Sequence, residues 1–178
     1  MNSINKNQPE HNYENLEMAE AIKKIKDLTE KSDTCFFCTK PSSDESMGTR
    51  PMSIQKTDES GTMWFVSAND SHTNEDIKYS PEVKLYFQGS THSDFLYIEG
   101  KATVSANKDE IKELWKPLMK VWFTEGEDDP RISIIKVKPT TGYYWDTKHG
   151  NTVAFLKMIA GAAMGKTLDD SIEGNLKV

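Results

Sequence analysis

Two short segments gather residue types that bind anions. In Arg50-Pro51-Met52 an arginine opens a run in which Arg50, Met52 and Ile54 alternate as the inward face of a strand. A guanidinium on such a face needs a partner, because burying an unpaired charge is costly. In Ser67-Ala68-Asn69-Asp70-Ser71-His72-Thr73, hydroxyls and an imidazole lead into a helical pattern beginning near Thr73. A helix start presents free backbone N–H groups and the positive end of its dipole. Arg50, His72, the hydroxyls of Ser67, Ser71 and Thr73, and that helix start together suit one phosphate monoester. Taken singly, each segment also reads as ordinary structure: a half-exposed strand arginine, and a loop with a helix cap. Neither G-x-G-x-x-G nor a P-loop occurs.

Cys35-Phe36-Phe37-Cys38 is the other chemical motif, and it invites a redox or zinc reading. Residues 34–39 read instead as a buried strand. There a separation of three puts the two sulfurs on opposite faces, so they share no metal and form no disulfide. Both cysteines are expected to be buried hydrophobes, and no metal site is expected. The acidic run 124–130 lacks the ligand spacing of an EF-hand and reads as a solvated turn.

The elements that must position the anion-binding groups follow from periodicity. Residues 1–12 are polar and expected to be disordered, leaving one domain over 13–178. Met18, Ile22, Ile25 and Leu28 predict an amphipathic helix over 14–31. Strands are expected at 49–55 and 62–67, joined as a hairpin, and at 83–88 and 95–104. Leu96, Ile98, Gly100, Ala102 and Val104 form the inward face of the last of these. A final strand pair, 132–138 and 142–146, is expected around Pro139. Helices are expected from a capping box at Thr73 and Asp76 to Pro81, from Asn107, and over 152–164. Six or so short antiparallel strands with peripheral helices describe an α+β barrel.

Composition narrows the partners. With 28 Asp and Glu against 22 Lys and Arg, the net charge of −6 repels phosphate backbones, so nucleic acid is not expected. No apolar run reaches bilayer-spanning length, and MNSINKNQPEH has no apolar core of a signal peptide. No membrane association and a cytoplasmic location are therefore expected.

The order and spacing of DTCFFCT, Arg50-Pro51-Met52, WFVS-ANDSHTNEDI, FLYIEGKATV, WFTEGEDDPR and GYYWD resemble the pyridoxamine 5'-phosphate oxidase-like proteins, and among them the general stress protein 26 group. The resemblance spans about residues 14–178 and implies a six-stranded split β-barrel that binds FMN, with FAD as the alternative. By the same resemblance Arg50 contacts the flavin phosphate, and Pro51 and Met52 run along the isoalloxazine. Val66 and Ser67 line the flavin too. Ser71, His72 and Thr73 form the phosphate turn, with His72 and Thr73 where a basic pair is usual. Trp145 approaches the flavin from the partner subunit of a homodimer. The segment Asp146–Asn151 lacks the Arg/His pattern with which true oxidases grip pyridoxamine phosphate, so that reaction is not expected. The reading that follows is a flavin-dependent oxidoreductase of unknown substrate with no catalytic side chain identified. The alternatives are a flavin-binding stress or storage protein without turnover, and a barrel that binds other proteins and no flavin.

Overall fold

The computed structural model describes residues 11–91, 93–164 and 170–178. Strands β2 (Thr34–Cys38), β3 (Thr49–Thr57), β4 (Met63–Ala68), β5 (Glu82–Gln88), β6 (Phe95–Ser105) and β7 (Ile132–Thr147) pair in the order β7-β4-β3-β2-β5-β6. The pairing of β6 with β7 closes them into a six-stranded antiparallel barrel. β8 (Ser171–Lys177) extends the sheet along the C-terminal half of β7, and the two-residue β1 (Leu16–Glu17) adds to β8 in parallel. The described residues also form four α-helices: α1 (Met18–Lys31), α2 (His72–Tyr79), α3 (Lys108–Leu114) and α4 (Asn151–Met164). This is the expected α+β split barrel.

Alternation fills the interior. Phe37, Phe65, Leu85, Ile98, Ile135 and Val137 point inward and are buried, with the rings of Phe37 and Phe65 edge to face at 5.3 Å. Ala21, Ile25 and Leu28 of α1 join the same core. A second cluster lies outside β4 and the first half of β7, where Ile111, Leu114, Met119 and Phe123 cover Ile132 and Ile134.

Several of these expectations need correction. Residues 14–17 are extended, not helical, because they pair with β8, a strand that periodicity had not shown. Met18 therefore stands at the helix start with φ +50°, off the apolar stripe, and is 63% exposed. The expected pair around Pro139 is one continuous strand: Pro139 lies where β7 exchanges β4 for β8 as neighbour, so on that edge its missing N–H leaves no ladder bond unmade. The acidic loop is not wholly solvated, since Asp129 is buried and accepts from Nε and an η-nitrogen of Arg131 at 3.0 and 2.7 Å. Those bonds from Arg131 hold its carboxyl down at about 2 against the effect of desolvation. Finally, Cys35 is buried but Cys38 only half-buried, on the opposite face of β2. Of the expected tail, residues 1–10 lie outside the described residues, while Asn12 is buried and its carbonyl accepts from Glu173.

The two cysteines are free thiols, and burial raises Cys35 to about 12. A thiol reagent is expected to titrate Cys38 well before Cys35 in the folded protein, and two thiols after denaturation. Stoichiometric zinc by metal analysis would overturn this.

Candidate functional site

The β3–β4 hairpin is only partly zipped. Its ladder runs from Thr57 opposite Met63 to Ile54 opposite Phe65 and goes no further. Beyond that point the first half of β3 pairs with β2 alone, and Val66–Ala68 of β4 pair with β7 alone. The backbone of β3 explains which groups face the opening. Ile54 N–H bonds Asp33 on the β2 side, so by strand alternation Met52 and Arg50 also bond toward β2. Ser53 then turns its backbone to β4 at the last rung of the ladder, and Pro51 turns its own toward the split beyond it. Proline fits there because it has no N–H to leave unpaired.

Four expected residues flank this opening on β3 and β4, and one lies on its outer face. Arg50 shares the inward alternation of Met52 and Ile54 and is half-buried; among the described residues its side chain has neither hydrogen bond nor ion pair. Met52 packs on the core, and Val66 packs outward on the second cluster. Ser67 and Ser71 join hydroxyls at 3.0 Å. Pro51 is exposed on the outer surface.

The helix start differs from the expected capping box. Ser71 is the cap and accepts from Asn74 N–H at 3.3 Å, so α2 begins at His72, one residue early. Thr73 is 1% exposed and its Oγ1 has no partner. His72 is exposed, 3.4 Å from Glu75. Asn74 reaches from α2 to Ser133, whose hydroxyl donates to Ser67 carbonyl, which ties the turn to β4 and β7. Asp76, assigned from sequence to the cap, instead accepts from Thr39 Oγ1, Ser46 Oγ and Ser42 N at 2.6, 2.6 and 2.7 Å. These bonds moor α2 to the loop 39–48, which runs directly into Arg50.

Burial alone would raise the Asp76 carboxyl, but the hydrogen bonds from Ser46, Thr39 and Ser42 outweigh it and hold it down at about 2. A depressed folded value stabilises the fold above the unfolded carboxylate range, near pH 4, and that contribution is lost as pH falls toward 2. The melting temperature of the wild type should therefore fall across that window, and the fall should be shallower in Asp76→Asn. Identical acid limbs for the two proteins would contradict this assignment.

Trp145 is not at the phosphate end. It is 40% exposed on the outer face of β7, with Tyr143 at 4.5 Å. A cavity of ≈ 470 Å³ links it to Pro51, Phe36, Tyr86 and Tyr97. Register explains the surface: Pro51 opposes Phe36, Phe36 opposes Tyr86, Tyr86 opposes Tyr97 and Tyr97 opposes Tyr143, one row across five strands. Tyr86 and Tyr97 stack at 5.0 Å. Burial and the neighbouring Glu99, to which its hydroxyl donates, push Tyr97 up to about 12. Sequence reasoning missed this row, although its signal was present: outward positions of amphipathic strands carry rings where charges are usual.

No group of three or more metal-ligating side chains occurs among the described residues, and no helix there is long and apolar enough to cross a membrane.

Comparison with known proteins agrees with this architecture. The structure of a protein assigned as general stress protein 26 from Jannaschia sp. CCS1 superposes with TM-score 0.75 at 20% identity, covering 90% of this chain and 100% of that one. The general stress FMN/FAD binding protein of Xanthomonas citri gives TM-score 0.57 at 22% identity over 68% of this chain and 84% of that one. Protein bli-3 of Neurospora crassa is 26% identical over 133 residues, 68% of this chain; the match spans 64% of that protein's length. The family described as pyridoxamine 5'-phosphate oxidase like matches residues 20–169, from within α1 through the barrel and past α4. A match that takes in every barrel strand and both sides of the split leaves one assignment: the chain belongs to the pyridoxamine 5'-phosphate oxidase-like family.

Proposed function

We propose that this protein binds FMN at the β3–β4 split and works as a cytoplasmic homodimer of single-domain chains, as a flavin-dependent oxidoreductase. The carrying observation is a half-buried Arg50 without an anionic partner, next along the chain from a loop moored to a helix start whose buried Thr73 hydroxyl is also unpaired. A phosphate monoester would satisfy both, with the first-turn N–H groups of α2 and the hydroxyls of Ser67 and Ser71 beside it. Pro51, Met52 and Val66 would flank the ring system along the split. Ring exposure at Phe36, Tyr86 and Trp145 supports a second copy closing over that face, which would bring Trp145 of the partner subunit to the flavin. The Xanthomonas citri protein, described as binding FMN or FAD, supports the cofactor class. Bound flavin would supply hydride or electron transfer, while the chain binds and orients it.

One observation favours the second reading, a flavin-binding protein without turnover. His149 stands in the segment where a substrate-gripping pattern would lie, but its Nδ1 is 2.7 Å from the buried Asp170 carboxylate, which Lys157 also engages at 2.5 Å. An absorbance scan of the purified protein, with mass identification of any released cofactor, tests flavin binding. A colourless protein that takes up neither FMN nor FAD on titration overturns it. Bleaching by NADH or NADPH, followed by reoxidation with turnover, separates the oxidoreductase from the store.

A further inference from the structure

We infer that Asp76 is a positioning residue for the flavin phosphate: its buried carboxylate sets the spacing between Arg50 and the first turn of α2. The inference rests on the flavin reading above. Arg50 lies on β3, whereas Ser71 caps, and His72 and Thr73 begin, the helix that follows β4, and the β3–β4 ladder stops short of Arg50. A single phosphate can engage both only if something else fixes their separation.

Asp76 spans that gap. Oδ1 accepts from Ser42 N, and Oδ2 accepts from Thr39 Oγ1 and Ser46 Oγ, so one carboxylate gathers both limbs of the loop 39–48. The neck of that loop is closed by Thr39 N–H donating to Gly48 carbonyl at 2.7 Å. Gly48 has φ +66°, and a Cβ there would come within 2.8 Å of Pro41 Cγ, so the neck tolerates no larger residue. Arg50 follows two residues later. On the helix side, Asp76 is one turn from Thr73 and His72, so the same bonds fix how far α2 is rotated about its axis. Asp76 is 0% exposed, which keeps these bonds from competing with water.

Charge makes the inference separable from simpler ones. Asp76 is itself an anion near the expected phosphate. If it acted only through the electrostatic field, Asp76→Asn would tighten FMN binding by removing a like charge. If it served only the fold, FMN and riboflavin, which lacks the phosphate, would weaken together. A positioning role predicts that Asp76→Asn weakens FMN by roughly tenfold while riboflavin changes less than twofold. The amide keeps the shape but cannot accept from all three donors. Thr39→Val and Ser46→Ala, which each remove one bond from the loop side, should act in the same direction with smaller effect and report the role even if Asp76→Asn folds poorly.

The measurement is flavin fluorescence quenching against wild type and the three variants, at matched folded fraction by circular dichroism. Selective loss of FMN affinity supports the inference. Tighter FMN binding, or equal change for both flavins, overturns it. Wild type that binds neither flavin defeats the flavin reading itself, a result distinguishable from either of these.

Discussion

Arg50→Ala is expected to weaken FMN binding by roughly 10- to 150-fold, because hydrogen bonds involving charged groups contribute about 1.5–3 kcal/mol. The arginine is half-buried on β3 and engages no carboxylate among the described residues, so its loss breaks no internal ion pair and should leave the fold intact. Riboflavin binding should change much less. Thr73→Lys should act in the opposite sense, adding a cation at the first turn of α2 where only a hydroxyl stands. Both effects should shrink as salt rises. Fluorescence titration of FMN and riboflavin reads all of this, and equal losses for the two flavins in Arg50→Ala would mean that the arginine supports the ring or the fold.

The second large effect concerns assembly. Phe36 and Tyr86 face each other across β2 and β5 on the outer surface, 60% and 47% exposed. Replacing both with glutamate puts two charges into the centre of the aromatic row. Aromatic hot spots at the centre of an interface contribute about 2 kcal/mol or more each, so in the proposed homodimer the double replacement should cause dissociation at micromolar concentration. Both side chains point away from the core, but like charges opposite each other and loss of the Tyr86–Tyr97 stack should lower the melting temperature of the subunit fold modestly, so the mass is read where circular dichroism shows the fold intact. Light scattering gives the mass. A double variant that stays dimeric would move the interface elsewhere, and one that becomes monomeric yet keeps full FMN affinity would show that one copy suffices for the site.

Much of the barrel was legible because half-buried antiparallel strands write their faces into alternation. β6 is the clearest case: of the five residues named from sequence, Leu96, Ile98, Gly100 and Ala102 are buried and Val104 is half-buried. β8 was illegible for the same reason in reverse. Ser171–Lys177 has little periodicity, and Gly174 is required by a close pass of Glu14, at the other end of the sequence: a Cβ there would sit 1.7 Å from Glu14 carbonyl oxygen. Contacts that remote leave no local pattern. The anion-binding end was half legible. Residue types marked Arg50 and the Ser67–Thr73 turn, but the loss of pairing beyond Ile54 is a property of two strands together and shows in neither alone. Asp76 was misassigned because a carboxylate three residues after a threonine satisfies the local rule for a capping box, while its true partners lie 30 to 37 residues away in sequence.

The half-open hairpin also gives β3 two regimes of amide exchange. Arg50 N–H points into the ladder with β2, so its deuteration requires that pairing to open. Thr49 N–H, the one before it, faces the split beyond the last β3–β4 rung, where no strand among the described residues pairs with it. Neighbouring amides on one strand should therefore exchange at very different rates. A ligand lodged in the split would slow the fast one and leave the slow one unchanged, so the two protons together report occupancy of the opening without any reference to colour or turnover.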